Sequence, residues 1–275
     1  MKVFNMSFAK GKKVNIYLII GAVMTGIIVV MAIVGIFWTP YSTTAMSAKE
    51  RFAAPSWQHL FGTDNFGRDI FSRVMKAVGT SALISVLVVA ISAVAGIVLG
   101  AITGYFGGVV DAVVMRIVDA INGFPSILLA LVIISLLGKG RQNVVLALAI
   151  AFTPSFVRIV RGEFIRLRDA DYVVRARLMG VAKPRILFVH ILPNIFSTFW
   201  VSVTIGLNNA ILAESGLSYL GIGVQAPDAT LGSLLSDAQA SLASSPWYAL
   251  APGLTIVWTV LGVAMLSEGI GKLKK

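Results

Sequence analysis

Cysteine is absent from this 275-residue chain, and histidine occurs only at His59 and His190. The absence of cysteine excludes disulfides, thiolate metal sites and a cysteine nucleophile. Charge is also scarce, because only 13% of the residues are Asp, Glu, Lys or Arg, against about 25% in soluble domains. Since 57% are hydrophobic, the chain has too little polar surface for a soluble globule, and we expect it to lie in a bilayer.

The few charges are mostly positive, which gives a formal net charge of +11. A basic chain can bind nucleic acid, but these positive residues fall between apolar runs instead of on one soluble face, which argues against that function. Enzyme motifs are missing too, because the sequence has no GxxxxGK[ST] loop to surround phosphates, no HExxH and no GxSxG elbow. We therefore expect no enzymatic activity, and any ATP hydrolysis would belong to another polypeptide.

Six apolar segments predict an all-α integral membrane protein. A helix needs about 20 mostly apolar residues to cross the roughly 30 Å hydrocarbon core. Gly123 and Pro125 fall inside the third segment, and Pro154 falls inside the fourth. The predicted spans are 16–38, 81–105, 112–138, 143–160, 191–213 and 247–267.

The positions of Lys and Arg predict the orientation, because positive residues near span ends remain in the cytoplasm. With the N-terminus inside, cytoplasmic segments hold 16 of the 23 Lys and Arg residues, and eight of these lie in segment 158–193. Both termini and that segment are therefore expected to be cytoplasmic. A cleaved signal peptide is the alternative for the first span, but its apolar run exceeds the usual core of about 7–15 residues, so we interpret it as a retained anchor.

The basic segment contains a glycine between two stretches of helix-forming composition. Residues 169–179 favour a helix, Gly180 interrupts it, and Pro184 stands where the first turn of a second helix tolerates proline. The pattern predicts two helices joined at a glycine turn and running into Leu192-Pro193. Such a hairpin can present a compact knob to a partner protein, or it can be an ordinary basic loop that obeys the positive-inside rule.

A glycine-rich stretch, FGTDNFGRDIFSR at 61–73, follows the first span. Its glycines permit tight turns, Thr63 or Asp64 can cap the helix that leads into the second span, and its arginines can pair with neighbouring acids. A metal site at Asp64 and Asp69 would have only His59 as a further ligand. We therefore predict a structural role for this stretch.

Polar residues within the third and fifth spans are candidates for a translocation pathway. Unpaired polar groups are costly at membrane depth, so they usually face a bundle interior or an aqueous path. Hydrogen bonds between helices are the alternative explanation. The candidates are Asn122, Ser126, Asn208, Asn209, Glu214 and Ser215.

The segment around Gly180 resembles the EAA loop of bacterial ABC-importer inner-membrane permeases. That loop reads Glu-Ala-Ala, three residues, Gly, nine residues and Ile-x-Leu-Pro. The first two residues of the triplet are replaced by Val174 and Arg175, and His190 replaces the isoleucine. The helix–glycine–helix geometry requires only Gly180. The matching positions are Ala176, Gly180, Leu192 and Pro193.

Further motifs make the chain similar to the C-type permease subunit of dipeptide, oligopeptide and nickel importers. These are the stretch 61–73 and the stretch 213–225, which reads AESGLSYLGIGVQ. The run GYFGG at 104–108 and the pair Phe124-Pro125 occur in the same order as in that family. Each motif alone is weak, but their joint order is specific, and the resemblance covers residues 16–270.

The resemblance implies a type I ABC-importer permease fold with six transmembrane helices in the bacterial cytoplasmic membrane. The chain would comprise a cytoplasmic N-terminus (1–15), a first transmembrane helix (16–38), an extracytoplasmic segment (39–76), a permease core (77–270) and a cytoplasmic tail (271–275). It also implies that the cytoplasmic loop 158–193 couples to an ATPase. The coupling residues would be Asp171, Tyr172, Val174, Arg175, Ala176, Gly180, Leu192 and Pro193.

Partners follow from the mechanism that the resemblance implies. Two cytoplasmic ABC ATPases would use ATP and Mg and pull on the loop, so that the helices rock between outward-facing and inward-facing states. A second permease would complete a heterodimer in the lipid bilayer, and an extracytoplasmic solute-binding protein would dock near Asp228 and Asp237. The chain itself would hold no cofactor or metal.

The expected substrate is a di- or oligopeptide, and nickel or a metal chelate is the alternative, because importers of all these solutes share the permease motifs. A secondary transporter or channel is the rival class. It should show internal repeats or buried ionisable residues that serve as ion relays. The centres of the spans are nearly free of charge, which favours the importer.

Overall fold

The structure is a computed structural model that describes residues 15–272, and within this range its regular elements are helices. A π-helical turn, Ile186–Ile191, connects Arg185 directly to Leu192. The helices are α1 (Ile16–Phe37), α2 (Ile70–Phe106), α3 (Gly108–Asn122), α4 (Ser126–Leu137), α5 (Arg141–Leu167), α6 (Asp171–Leu178), α7 (Lys183–Arg185), α8 (Leu192–Tyr219), α9 (Leu231–Ala238) and α10 (Pro246–Lys272).

Among residues 15–272, five unbroken helical stretches are long and apolar enough to cross a membrane, and a bent pair of helices makes a sixth if it is taken as one span. Their outward faces are apolar: Val23, Val30 and Ile36 on α1 are each more than half exposed. Soluble monomers rarely expose a contiguous face of this kind, so the surface fits a bilayer. The all-helical membrane fold expected from the sequence is therefore confirmed.

The third predicted span, 112–138, is not one straight helix. It consists of α3 and α4, which are bent by 89° at the break around Gly123 and Pro125. Pro125 has φ −55° and ψ 128°, an extended conformation that ends one helix before the next begins at Ser126. Proline lacks an amide hydrogen and crowds the preceding turn, which favours the end of a helix at this position.

The longest helix, α2, begins eleven residues before the predicted second span and runs for 37 residues. Hydropathy places the start of this span too late because the first turns of α2 carry Arg73 and Lys76. Asp69 caps the helix, since its side chain accepts a hydrogen bond from the Ser72 amide at 2.7 Å. The predicted cap, Thr63 or Asp64, was therefore wrong by five or six positions.

Three glycines one turn apart allow α2 and α5 to pack closely. Added Cβ atoms would overlap Phe156 at Gly96, and would lie 2.8 Å from the Val157 carbonyl oxygen at Gly100. Gly104 continues the same stripe toward the end of α2. Small residues at every fourth position are the usual means by which membrane helices approach each other. The stripe therefore brings the backbones of the two helices together.

Replacing Gly100 with leucine is expected to destabilise the subunit by at least about 1–3 kcal/mol, because the added side chain would overlap α5 backbone. The measurement is thermal unfolding of the detergent-purified protein. Gly26 on α1 is the matched control, since a Cβ there would meet nothing within 4 Å. An unchanged midpoint for the Gly100 variant would show that α2 and α5 do not pack as described.

The two ends of the helical bundle differ. The basic end contains α6, α7, the α2–α3 turn and the start of α8, whereas the opposite end contains residues 38–69 and the segment 220–245. At the opposite end, α9 and Tyr248 of α10 pack with Val74 of α2 in a second core. The predictions for residues 1–14 and 273–275, which include most of both termini, concern residues outside the described range.

Candidate functional site

The hairpin at the basic end has the helix–glycine–helix form that the sequence predicts. Gly180 has φ +75° and ends α6, in a conformation that costs glycine no strain. Its amide donates to the Arg177 carbonyl at 3.1 Å, and the Val181 amide donates to the Ala176 carbonyl at 3.1 Å. These two bonds form a Schellman motif, which satisfies the last carbonyl groups of the helix. The chain then enters α7 with Pro184 in its first turn.

The hairpin is fixed to the bundle on one side and exposed on the other. Val173 and Ala176 of α6 are buried in the main core, together with Ile186 after the turn. Leu178 and Met179, at the tip, are 82% and 76% exposed. The tip therefore presents two adjacent apolar side chains at the end of an anchored helix.

The coupling residues expected from the resemblance lie in one region. Ala176 faces the core, whereas Asp171, Val174 and Arg175 lie on the exposed side of α6. Tyr172 is linked to the start of α8, because Asn194 Nδ2 donates to the Tyr172 hydroxyl at 3.4 Å. Leu192 and Pro193 form the first turn of α8.

The polar residues expected at membrane depth separate into two groups. Asn122 and Asn209 are exposed and Ser126 is half-buried. Asn209 also lines a cavity of about 100 Å³ between α5 and α8. Asn208 instead contacts α10. With its side-chain amide in the orientation that satisfies both bonds, its nitrogen donates to the Val260 carbonyl and its oxygen accepts from the Ala264 amide, both at 3.2 Å.

Glu214 is completely buried between α8, α2 and α9. The Ser218 hydroxyl donates to Glu214 Oε1 at 2.7 Å, and Glu214 Oε2 has no hydrogen-bond partner among residues 15–272. The neighbouring Ser215 carbonyl is so close to Gly232 of α9 that a Cβ could not fit there. Both residues are therefore buried inside this subunit.

Asp64 is the centre of a buried ionic cluster at the opposite end. Its carboxylate accepts from the backbone amides of Phe66 and Arg68 at 2.8 and 2.9 Å. It also accepts from Arg68 Nε and from Arg73 Nη1, both at 2.6 Å. Arg73 Nη2 lies 3.4 Å from Asp237 Oδ2, which links the stretch 61–73 to α9. The predicted local pairing of the arginines thus centres on Asp64.

His59 does not belong to a metal site in the part of the chain that the structure describes. Its Nδ1 lies 2.9 Å from Asp69 Oδ1, and Asp69 is already engaged as the cap of α2. Within residues 15–272, no group of three or more His, Asp and Glu side chains is placed to hold a metal ion.

Sequence reasoning missed the exposed Leu178-Met179 pair and the role of Asp64. The first had a local signal, since two large apolar residues directly precede a helix-ending glycine. The second had none, because Asp237 is distant from Asp64 in sequence and only the fold brings them to the same arginine.

The fold and the site together define a multi-pass α-helical membrane subunit with a small anchored hairpin at one end. The family described as "Binding-protein-dependent transport system inner membrane component" matches residues 96–271 of this chain. The chain belongs to that family, the permeases of ABC importers, and within it to the C-type subunits of the peptide group.

Curated relatives cover most of the chain. It is 38% identical to the dipeptide transport system permease protein of Alkalihalophilus pseudofirmus, across 95% of this chain and 86% of the relative. It is 38% identical to a putative peptide transport system permease protein of Brucella suis, across 91% and 84%. It is 41% identical to the glutathione transport system permease protein of an Escherichia coli strain, across 78% and 71%.

Proposed function

We propose that this chain is one of two permease subunits through which an ABC importer carries di- or oligopeptides into the cytoplasm. Support comes from the relatives, which are named for transport of dipeptides, peptides and glutathione. ATP and Mg would be used by partner ATPases, because this sequence has no phosphate-binding motif.

The exposed tip of the hairpin is the observation that carries the coupling role. Leu178 and Met179 are held out by a rigid helix cap, and Arg175 and Arg177 lie beside them. Burying two such apolar side chains in a partner would contribute roughly 1.5–3 kcal/mol each. We therefore assign this tip to a groove on a cytoplasmic ATPase, which also makes the basic end cytoplasmic, in agreement with the positive-inside rule.

The translocation pathway would include Asn122, Ser126 and Asn209. These side chains are at least partly exposed, and a second permease facing them would enclose a polar route between the subunits. Asn208 and Glu214 have hydrogen-bond partners on α10 and α8, whereas the partner of Asn122 is the exposed Arg158. The role of Asn208 and Glu214 would be to hold the wall of the route in place.

The extracytoplasmic binding protein would approach the opposite end. A cavity of about 510 Å³ opens there, and Lys76, Asp228 and Asp237 are among the residues that line it. The cavity is lined by both positive and negative side chains, and such a surface suits a polar, reversible contact with another protein.

The proposal is tested by reconstituting the complete importer in liposomes and measuring ATP hydrolysis with candidate solutes. We expect di- or oligopeptides, presented with the binding protein, to stimulate hydrolysis severalfold above the rate without solute. Stimulation by Ni²⁺ or a nickel chelate, and not by peptides, would replace the peptide assignment with the metal one. Transport by this chain in vesicles that contain no ATPase would overturn the importer function.

Docking of the hairpin tip can be tested separately, because the chain has no native cysteine. A cysteine introduced at Leu178 should form a crosslink to the ATPase through a short bifunctional reagent. A cysteine at Trp57, which is 99% exposed at the opposite end, is the matched control and should not. Crosslinking from Trp57 alone would reverse the assigned orientation.

A further inference from the structure

Two adjacent aromatic rings occupy the turn between α2 and α3, next to the hairpin. Tyr105 and Phe106 meet edge to face, with ring centroids 5.3 Å apart and planes at 88°. Gly107 and Gly108 follow with φ +64° and +60°, and this backbone ends α2 directly after the rings. Tyr105 packs against the main core, whereas Phe106 is about half exposed. Nothing in the proposed function uses this pair.

Each arm of the hairpin brings one cation to one of these rings. The Arg177 guanidinium carbon lies 5.8 Å from the centroid of Tyr105, and Lys183 Nζ lies 5.5 Å from the centroid of Phe106. Arg177 precedes Gly180 and Lys183 follows it. The two cation–π contacts therefore hold both sides of the glycine turn against the end of α2.

Hydrogen bonds lead from the hairpin to the same place. Arg177 Nη2 donates to the Arg168 carbonyl at 3.1 Å, and Arg168 Nη1 donates to the Gly104 carbonyl at 3.4 Å. Neither Arg177 nor Lys183 has a carboxylate oxygen within 4 Å among the described residues. The ring faces, and for Arg177 also the Arg168 carbonyl, are therefore the groups that these two charges contact, whereas Arg158, Arg161 and Arg166 of α5 pair with carboxylates.

The rings are also well placed to pass on a movement of the hairpin. They end the longest helix of the bundle, which covers about 55 Å at 1.5 Å per residue. The other end of α2 is held by the Asp69 cap and by Arg73 in the Asp64 cluster. Because α2 is one continuous helix, a displacement of its ring-bearing end would be passed along the helix toward this cluster.

We propose that Tyr105 and Phe106 are positioning residues for the coupling hairpin, which they hold through Arg177 and Lys183 and whose displacement they pass to α2. The inference rests on the proposed coupling function. It adds a second contact surface, inside the subunit, to the one that the hairpin presents to the ATPase. Loss of the ring faces should lower the amount of peptide transported per ATP hydrolysed, and it should have a smaller effect on the stability of the subunit.

The test replaces the rings and measures the amount of peptide taken up per ATP hydrolysed by the reconstituted importer. Tyr105→Leu with Phe106→Leu keeps apolar bulk but removes both ring faces, and we expect the ratio to fall by about five- to tenfold. Tyr105→Phe with Phe106→Trp keeps both ring faces, so the ratio should stay within about twofold of the parent. Equal losses in both double variants would indicate a packing role only and would overturn the proposal.

A double-mutant cycle tests the pairing itself. Lys183→Met and Phe106→Leu should each lower the ratio, and the combined variant should be no worse than the poorer single one, because both remove the same contact. Losses that multiply in the combined variant would contradict the pairing of Lys183 with Phe106.

Gly180→Pro separates this inference from the function on which it rests. If that variant stops transport but the ring variants do not, only the positioning role fails; if Gly180→Pro transports normally, the coupling function fails.

Discussion

Replacing Gly180 with proline is expected to abolish transport while the subunit still inserts in the membrane. Gly180 has φ +75°, whereas the proline ring fixes φ near −65°. Proline also removes the amide that donates to the Arg177 carbonyl, and with it half of the Schellman motif. The turn must therefore rearrange, and Leu178 and Met179 lose the position from which we expect them to contact the ATPase.

Uptake by the reconstituted importer measures this effect, and recovery of the variant from the membrane fraction shows insertion. Gly180→Ala is the graded control, because a Cβ at this position meets nothing within 4 Å and only the positive φ is unfavourable. That strain is about 1–2 kcal/mol, so we expect reduced but measurable uptake. Unimpaired uptake by the proline variant would contradict the coupling assignment.

The hairpin was predictable because its determinants are local. A glycine that ends one helix and a proline that begins the next act through the backbone of their own residues, so Gly180 and Pro184 could be interpreted without knowledge of the rest of the fold. The exposure of the tip was harder to predict, because it depends on Val173 and Ala176 being anchored in a core formed by other helices.

Hydropathy gave the number of spans but not all of their shapes. The apolar run 112–138 has the composition of one span, and the bend of 89° arises at Gly123 and Pro125. Hydropathy also missed the early start of α2, because the first turns of this helix are not purely apolar. Its first turns contain Arg73, which is unfavourable in an apolar segment until Asp64 and Asp237 neutralise it.

The pathway candidates show how much depends on helix rotation. Asn208 and Asn209 are adjacent in sequence, but one contacts α10 and the other faces outward. Successive helical residues point about 100° apart, so only the packing of α8 decides which of the two is exposed. Composition alone could identify both as polar residues in a span and could not separate them.

Replacing Asp64 with alanine is expected to destabilise the subunit by about 3–5 kcal/mol, since it removes one partner from a buried ion pair. The variant would leave Arg73 with its Nη1 unpaired and its side chain only 8% exposed. It would also leave the amides of Phe66 and Arg68 without the side-chain acceptor that orders the turn. We expect little folded protein in detergent and a large fall in the midpoint of thermal unfolding.

Asp237→Ala is the matched control, because it removes a carboxylate from the same arginine at an exposed position. Asp237 is 45% exposed and lies 3.4 Å from Arg73, and surface ion pairs contribute at most about 1 kcal/mol. A double variant, Asp64→Leu with Arg73→Met, should recover part of the lost stability, because it removes the unpaired buried charge together with its partner. If Asp64→Ala and Asp237→Ala were equally mild, the cluster would be solvated and would not hold α2 to the opposite end of the bundle.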